Sequence, residues 1–395
     1  MREVFLLRVS KGRKEALLLL EDGSIFYGTG FGAEVDSIGE VVFSTGMVGY
    51  CESMTDPSYA GQVLCFTYPL IGNYGVPPYR HLDEFGLPRF FESDSLKVRG
   101  IVVQENCLTP SHWASKATLG QWLEREGVPG IEGVDTRALV TKLREAGVMM
   151  GVLANGPERA DAGRLSELLG KAAKYSQQDL VKGVSVKRPV VHGDSEERIV
   201  LIDCGTKLGI VRNLMGRGFQ VIRVAYDSSY SEVMKHHPSG VVVSNGPGDP
   251  QVCAEASKCV GSLIESEVPV LGICLGEQIV GMSQGAKTFK LKYGHRGQNK
   301  PCVDLGTGRG YVTSQNHGYA LEPKSLQGTD LKPWFVNADD GTIEGVFHAT
   351  RPCIAVQFHP EATPGPMDAN FVFDAFAKTA RGSSLRGEPI RNMST

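Results

Sequence analysis

From about residue 198 onward, short apolar runs alternate with stretches of a different, partly helical pattern. Residues 207–215 have the pattern of a helix and residues 259–264 are largely apolar, while strand-like runs cover residues 199–203, 221–225, 240–244 and 268–274. This alternation is typical of a parallel sheet flanked by helices, the doubly wound arrangement. Because ligands bind beyond the carboxyl ends of the strands in such sheets, the predicted α/β fold also predicts where the chemistry lies.

The first half of the chain is patterned differently. Two apolar runs around the turn signal Asp22-Gly23 predict a β-hairpin over residues 15–30. One helix is predicted over residues 119–126, and another begins at Asp135, which can cap its first turn, and ends near Gly147. Further strand-like runs follow at residues 41–44, 63–67 and 100–104. We therefore expect a mixed α and β domain with irregular connections.

A domain boundary is predicted where the hydrophobic periodicity fades, between residues 177 and 198. It divides the chain into an amino-terminal domain over residues 1–190 and the doubly wound, mainly parallel-sheet domain over residues 191–395. A chain of 395 residues is long enough for two domains of ordinary size.

The composition excludes several classes of protein. A formal charge of -3, without a lysine- or arginine-rich block, argues against a nucleic acid partner. The apolar run at residues 4–9 is too short and too charged for a secretory signal, and no segment has the length that a membrane span requires. The nine cysteines are scattered without a CxxC pair. We expect a cytoplasmic chain with mostly buried thiols and no metal site.

Cys274 is the strongest candidate nucleophile. It follows the apolar run that begins at Val268 and lies between Gly272 and Gly276, a spacing that permits a sharp turn from strand to helix. On such a turn the first amides of the helix point toward the sulfur, and together with a nearby imidazole they favour the reactive thiolate. The alternative interpretation is an ordinary core cysteine at the end of a strand.

Partners for this thiol occur late in the chain. The strand-like run 353–358 leads directly to His359, and Glu361 follows two residues later. A histidine and a carboxylate at the carboxyl end of a strand can act as a general base and the acid that orients it. A lone histidine would more often be an ordinary core or surface residue.

A glycine-rich loop follows another strand-like run, over residues 241–243. It contains Gly246 and Gly248, whose backbone amides could face an oxyanion. Taken alone the loop is a turn, but together with the amide of Leu275 it predicts a hole that stabilises a tetrahedral intermediate.

The three motifs, in this order, resemble those of the class I glutamine amidotransferases over residues 198–381. The matching segments are Ser-Asn-Gly-Pro-Gly-Asp-Pro, Gly-Ile-Cys-Leu-Gly and Phe-His-Pro-Glu. The resemblance implies a glutaminase in which Cys274 attacks the side-chain amide of glutamine. It also implies that His359 shuttles protons, that Glu361 orients His359, and that a glutamyl thioester is hydrolysed by water.

Other segments narrow the resemblance to the small-chain family of carbamoyl-phosphate synthetases. In the second half they are residues 203–207, 294–297 and 314–319, and in the first half residues 39–43, 49–50, 55–59, 67–69, 71–73 and 133–139. The family holds L-glutamine at positions that correspond to Ser58, Gly246, Gly248, Leu275, Gln278, Asn316, Gly318 and Tyr319. These residues can offer donors to the carboxylate of glutamine and acceptors to its ammonium group. Without the resemblance, Ser58 would be read as a turn residue.

The resemblance also implies a partner chain. No GxxxxGK[ST] loop occurs, so the ATP and Mg²⁺ chemistry is expected on a large synthetase chain with ATP-grasp units, and no cofactor is expected here. The family passes ammonia to that chain through a channel, in a heterodimer or a larger assembly of heterodimers. The carbamoyl phosphate serves pyrimidine or arginine synthesis, and the sequence leaves the pathway open.

Two departures from the family and two other interpretations remain. Glu277 stands where the family commonly has histidine, and a carboxylate there would disfavour a neighbouring thiolate. Residues 297–301 depart from the usual loop pattern. A non-catalytic scaffold that regulates the large chain is the main alternative, although Cys274, His359 and Glu361 are all present. A cysteine esterase would explain the turn around Cys274 but not the first domain.

Overall fold

A computed structural model of the chain describes residues 14–382. Within these residues it divides into two compact units, one of residues 14–82 and 88–178 and one of residues 83–87 and 179–382. The division falls before the predicted boundary at 190/191, because the strand Val190–His192 already pairs within the second unit. The family-domain limits stay a prediction, and the apolar run at residues 4–9 lies outside the described residues.

The first unit is built around a closed seven-stranded barrel. Its strands follow the order β1-β2-β8-β6-β4-β3-β9, and β5 and β7 pair separately. The strands are β1 Lys14–Leu20, β2 Ile25–Gly32, β3 Asp36–Ser44, β4 Gln62–Phe66, β5 Leu70–Ile71, β6 Gly100–Val102, β7 Glu105–Asn106, β8 Pro129–Glu132 and β9 Met149–Asn155. The predicted hairpin is confirmed as β1 and β2, whereas the sequence did not predict the closure of the barrel.

The helices of the first unit begin and end at capping residues that can be recognised in the sequence. Both predicted helices are confirmed, and the side chain of Asp135 accepts a hydrogen bond from the amide of Ala138 at 2.9 Å. Thr118 and Gln121 form a reciprocal cap at the start of the other. The helices are α1 Tyr50–Thr55, α2 Leu119–Glu126, α3 Thr136–Ala146 and α4 Ala162–Gly170.

The second unit contains one ten-stranded sheet, in the order β10-β12-β11-β13-β14-β19-β18-β17-β15-β16. Strands β12, β11, β13, β14 and β19 run parallel, which confirms the doubly wound core. Strands β18, β17, β15 and β16 extend that core in antiparallel fashion. The strands are β10 Val190–His192, β11 Arg198–Asp203, β12 Gln220–Ala225, β13 Gly240–Val243, β14 Val270–Ile273, β15 Thr288–Asp304, β16 Gly310–Leu321, β17 Leu331–Asn337, β18 Ile343–His348 and β19 Cys353–Val356.

Helices cover the sheet and bury its side chains in two large apolar clusters. The parallel strands are buried almost throughout, which is why they read as continuous apolar runs rather than alternating ones. The helices are α5 Val181–Val184, α6 Leu208–Met215, α7 Tyr230–Met234, α8 Ala254–Glu265, α9 Leu275–Ser283 and α10 Phe371–Ala380.

Two expectations about cysteines and membranes can be compared with the structure. The nine cysteines are all free thiols, and all except Cys107 are buried. No helix within residues 14–382 combines the length and the apolar character that crossing a bilayer requires.

Candidate active site

Cys274 occupies a strained turn between β14 and α9. Its backbone lies in a region that only glycine adopts readily, with φ 56° and ψ -105°. The turn is fixed because the amide of Cys274 donates to Val356 O at 2.8 Å and its carbonyl accepts from the amide of Glu277 at 3.0 Å. The sulfur therefore sits at the carboxyl end of the sheet, in front of the amides that begin α9, as the sequence predicted.

The flanking glycines are required by close backbone packing. A Cβ atom at Gly276 would lie 2.1 Å from Val243 O, and one at Gly272 would lie 2.6 Å from Gly276 O. No ordinary side chain fits at either position without moving a strand. The glycines on both sides of Cys274 thus permit the approach of α9 to β13 and β14.

We expect Gly276→Ala to displace the turn, with a loss of about 1–3 kcal/mol in the free energy of unfolding. Because a displacement of about 1 Å can cost about a hundredfold in rate, the rate of the reaction at Cys274 should fall by a similar factor. Gly261→Ala in α8 is the matched control, since its Cβ would meet its neighbours at an ordinary 3.6 Å. Urea unfolding and an assay of catalytic activity measure the two effects, and an active, equally stable Gly276→Ala variant would contradict this account.

His359 and Glu361 lie beyond the end of β19, the parallel neighbour of β14. The two side chains are fully buried, and Nδ1 of His359 lies 2.6 Å from Oε1 of Glu361. The imidazole also interacts electrostatically with the Cys274 thiol. The structure thus brings the three predicted residues together, although they are far apart in the sequence.

The thiol and the imidazole are not hydrogen bonded at ordinary geometry. Sγ of Cys274 points to the carbonyl oxygen of Asn316 at 3.7 Å. Across residues 14–382, Nε2 of His359 has no hydrogen-bond partner. Catalytic hydrogen bonds are often long without substrate and shorten in the complex, so this arrangement is compatible with proton transfer between the two groups.

Lys207 is buried beside Glu361, and the sequence did not identify its role. Lys207, Glu361 and His359 together form what we call the charged row. Its Nζ lies 2.9 Å from Oε1 of Glu361 and donates to the carbonyl of Ala362 at 2.6 Å. The preceding turn is fixed by Asp203, whose Oδ1 accepts from the amide of Thr206 at 2.8 Å. Residues 203–207 resemble a family segment, but nothing local in them shows that the lysine is buried beside a distant glutamate.

Charge pairing sets the protonation of this row. Burial alone would lower the pKa of His359, but the Glu361 carboxylate outweighs it and raises the pKa to about 10. Burial alone would raise the pKa of Glu361, but Lys207 and His359 lower it to about 2. At neutral pH the row therefore consists of an ammonium group, a carboxylate and an imidazolium.

The glycine-rich loop lies against the start of α9, as expected for an oxyanion hole. A Cβ atom at Gly246 would lie 2.2 Å from Cys204 O and 2.8 Å from the side chain of Leu275, so the backbones approach closely. Gly248 adopts a positive φ of 90°. The residue between β13 and this loop, Asn245, accepts a hydrogen bond from the amide of Lys207 at 3.0 Å, which ties the loop to the charged row.

The other predicted glutamine-binding residues of the second unit are gathered nearby. Nε2 of Gln278 donates to the carbonyl of Tyr319 at 2.8 Å, and Asn316 and Gly318 lie on the same strand, β16, as Tyr319. Asn316 is also the residue toward which the thiol points. Ser58 belongs to the first unit, where its amide donates to Asp56 in the 3-10 turn Pro57–Tyr59. The binding roles of all these residues stay predictions.

Glu277, which stands where the family commonly has histidine, is completely buried. This burial changes the effect on the thiolate that the sequence predicts for a carboxylate at this position. Burial, followed by repulsion from Glu344, raises the pKa of Glu277 well above its ordinary value. The Gln357 amide, oriented so that its nitrogen and oxygen are both satisfied, donates to Oε2 of Glu277 at 3.0 Å. Burial and the neighbouring Glu344 therefore favour the neutral form of the side chain, which opposes a thiolate less than a charged carboxylate would.

We expect Glu277→Gln to stabilise the protein at pH 8 and to have little effect at pH 4. A carboxyl group whose pKa is raised by folding destabilises the folded state only above its unfolded pKa, by about 1.4 kcal/mol per unit of raised pKa. Glutamine keeps the neutral form at every pH and removes that penalty. Urea unfolding at both pH values measures the difference, with the exposed Glu255→Gln as control. If the wild type and Glu277→Gln were equally stable at pH 8, Glu277 would carry its charge in the folded protein without any loss of stability.

The second departure, at residues 297–301, lies within β15. The pairing of β15 with β16 shifts in register between Gly297 and Lys300, which is a β-bulge or similar irregularity. The departure therefore coincides with a bulge in the antiparallel part of the sheet, opposite Ser314, whose carbonyl accepts a hydrogen bond from the amide of His359 at 2.8 Å.

Comparison with known proteins gives two matches to family models. Residues 18–153 match the carbamoyl-phosphate synthase small chain, CPSase domain, and residues 200–379 match the class-I glutamine amidotransferases. The carbamoyl phosphate synthase small chain of Pyrococcus furiosus is 48% identical, covering 93% of this chain and 98% of its own. The carbamoyl phosphate synthase small chain of Sulfurisphaera tokodaii is 47% identical, and the match covers 91% of this chain and 95% of that protein. The arginine-specific small chain of Aspergillus oryzae is 46% identical, covering 95% and 83%.

Proposed function

The chain belongs to the family of carbamoyl-phosphate synthase small chains, and on this premise we propose that it hydrolyses L-glutamine through Cys274 and supplies the ammonia to a large chain. The observation that supports this most directly is that Cys274, His359 and Glu361 are buried together at the ends of two adjacent parallel strands. The family and the enzyme class are those predicted from the sequence, and the residue roles below are the proposal.

In the first half of the reaction, Cys274 acts as a thiolate beside the His359 imidazolium, and its sulfur attacks the side-chain amide carbon of glutamine. A C–S bond forms as the carbonyl electrons move to oxygen, where the amides near Gly246 and Leu275 stabilise the negative charge. The His359 imidazolium donates its proton to the amide nitrogen, the C–N bond breaks, and ammonia leaves. The enzyme then holds a glutamyl thioester.

In the second half, water attacks the thioester carbonyl. His359, now neutral, accepts one proton from the water, and the C–S bond breaks with its electrons returning to the sulfur as thiolate. The new carboxyl group releases the other proton to solvent, which gives glutamate. Glu361 orients the imidazole through Nδ1 and stabilises each imidazolium state. Lys207 holds the carboxylate of Glu361 in place from the other side.

The bound glutamine is held by polar groups around the thiol. Gln278, Asn316, Gly318 and Tyr319 supply acceptors and donors from α9 and β16, and Gly246, Gly248 and Leu275 surround the reacting carbonyl. Ser58 from the first unit is proposed to contact the carboxylate of glutamine. These groups match a zwitterionic amino acid, which needs donors at one end and acceptors at the other.

The partner in this proposal is a large synthetase chain that binds ATP and Mg²⁺ and makes carbamoyl phosphate from bicarbonate and ammonia. Relatives are named as carbamoyl phosphate synthase small chains, and two of them as arginine-specific. The product would serve pyrimidine synthesis, arginine synthesis or both. Assembly into heterodimers, or into larger sets of heterodimers, belongs to the same proposal.

The test is to measure glutamate released from glutamine, first by the purified chain alone and then after addition of the large chain, bicarbonate and ATP. We expect slow release by the chain alone and faster release in the complex, with carbamoyl phosphate formed in equal amount to the glutamate. A complex that makes carbamoyl phosphate from free ammonia but never releases glutamate would instead identify this chain as a non-catalytic scaffold.

A further inference from the structure

Three buried side chains of the second unit converge away from the catalytic row. His295 lies on β15, His317 on β16 and Glu344 on β18. One nitrogen of each imidazole and one oxygen of the carboxylate lie within 4.8 Å of one another. Nδ1 of His295 is 3.3 Å from Oε1 of Glu344, and Nε2 of His317 is 3.9 Å from the same oxygen.

On each imidazole, the nitrogen that faces away from Glu344 already has a hydrogen-bond partner. Nε2 of His295 lies 2.9 Å from Oδ2 of Asp340, and Nδ1 of His317 lies 2.9 Å from the carbonyl oxygen of Tyr319. Since a carbonyl can only accept, Nδ1 of His317 carries the proton, and its Nε2 presents a lone pair to the cluster. Histidines that bind metal ions show this pattern, with the second nitrogen bonded to a carboxylate or a backbone carbonyl.

Two atoms of these side chains have no hydrogen-bond partner among residues 14–382. They are Nε2 of His317, a residue with 5% exposure, and Oε2 of Glu344, which is completely buried. Leaving such acceptors unpaired in the protein interior is unfavourable. A cation held between Nε2 of His317, Nδ1 of His295 and Oε1 of Glu344 would give the His317 nitrogen the partner that it lacks.

A proton is a poorer solution than a metal ion. One proton shared between Nδ1 of His295 and Oε1 of Glu344, which are 3.3 Å apart, leaves Nε2 of His317 without a partner at 3.9 Å from that oxygen. Asn337 donates to Oε1 of Glu344 at 3.0 Å and leaves Oε2 for another partner.

We propose that His295, His317 and Glu344 form a binding site for one divalent transition-metal ion, with zinc as its most suitable occupant. Two imidazoles and one carboxylate are a common zinc ligand set, with a water molecule or another small ligand in the fourth position. Tetrahedral zinc bonds of about 2.0–2.2 Å place the ligand atoms about 3.3 Å apart. The contact between His295 and Glu344 already has this length, that between His317 and Glu344 is about 0.6 Å longer, and the two imidazole nitrogens, which lie within 4.8 Å of each other, would move closer around the ion.

The ion would join three strands of the antiparallel extension. His317 also lies between Asn316 and Gly318, so the metal would fix the segment that we propose to hold glutamine. A structural role follows, because the site does not include Cys274 and its ligands are buried. Loss of the ion should lower the melting temperature and raise the KM for glutamine more than it lowers kcat.

The metal content of the purified chain, produced in medium containing zinc, is the first measurement. We expect about one zinc per chain in the wild type and in Cys274→Ser, and almost none in His317→Gln or Glu344→Gln. Because the catalytic thiol and His359 could also bind zinc, Cys274→Ser is the essential control. Zinc that disappears in Cys274→Ser, or wild-type protein that contains none after production and refolding with zinc, would overturn the proposal.

A second measurement does not depend on the folding of a variant. Wild-type chain refolded with Co²⁺ should show the visible absorption of a nitrogen- and oxygen-ligated ion, without the near-ultraviolet band of a cobalt–thiolate bond. Zinc at about a hundred times its Kd should raise the melting temperature by roughly 5 °C or more. A thiolate band as strong as one bond per ion would place the metal on a cysteine and contradict the assignment.

Discussion

Cys274→Ser is expected to reduce glutamine-dependent synthesis of carbamoyl phosphate by at least about a thousandfold, the scale on which removal of a nucleophile acts. A serine hydroxyl is far less acidic than a thiol, and His359 is already protonated by its pairing with Glu361, so it cannot activate the hydroxyl. Synthesis from free ammonia by the assembled complex should remain, because that reaction bypasses the thioester. Both rates are measured on the same preparation.

Cys353→Ser provides the matched control for this substitution. Cys353 is also a fully buried thiol, and it lies on β19, the strand that leads to His359. The same exchange of sulfur for oxygen should lower the stability of the protein but leave glutamine hydrolysis nearly unchanged. If Cys274→Ser retained glutaminase activity, or if both variants lost it equally, Cys274 would not be the nucleophile.

Lys207→Met should have the second largest effect, because it removes one member of a buried charged row. Glu361 would keep its contact with His359 but lose its ion pair with Lys207, whose Nζ lies 2.9 Å from Oε1 of Glu361. Breaking a buried ion pair on one side costs about 3–5 kcal/mol in the free energy of unfolding. Since a positioned general acid–base contributes about a hundredfold or more to the rate, disorder of Glu361 and His359 should also reduce kcat by about that factor.

Lys258→Met is the control for loss of a lysine charge. Lys258 pairs with Glu255 on the surface of α8, where both side chains are mostly exposed, and such pairs contribute about 0–1 kcal/mol. Urea unfolding and the kinetics of glutamate release compare the two variants. Equal and small effects would show that the Lys207–Glu361 pair adds nothing to the fold or to the reaction.

The same row predicts how stability depends on acid. The pKa of Glu361 is about 2 in the folded chain and ordinarily 4.5, so the stability that its charge contributes is complete above pH 4.5. That contribution is lost as the pH falls from 4.5 toward 2. In Lys207→Met the pKa of Glu361 is less depressed, so its stability should fall less steeply over this range.

The sequence predicted the local elements of the site because each depends on neighbouring residues. Glycines at 272 and 276 indicated the turn around Cys274, and apolar runs indicated the strands that end at Gly246 and His359. Parallel strands place their carboxyl ends at one edge, so the meeting of Cys274 with His359 and Glu361 followed from the fold class. The amino-terminal helices were predictable for a similar reason, since Asp135 and Gly147 mark the ends of one of them.

Contacts between distant segments could not be predicted in this way. Lys207 appears in the sequence as one of many lysines, and only the fold places it beside Glu361. The raised pKa of Glu277 depends on burial that no local pattern reveals. His295, His317 and Glu344 come from three antiparallel strands whose order in the sheet the sequence did not indicate.

Closure of the barrel in the first unit restricts how this unit can recognise other proteins. In the ring from β1 to β9, each barrel strand is hydrogen bonded to two neighbours, so the ring offers no open edge to an incoming strand. Recognition by β-augmentation is thereby excluded for the ring, and a partner must read the side chains of its loops and helices. Surface substitutions, rather than changes to strand pairing, are therefore the means by which its binding specificity can evolve.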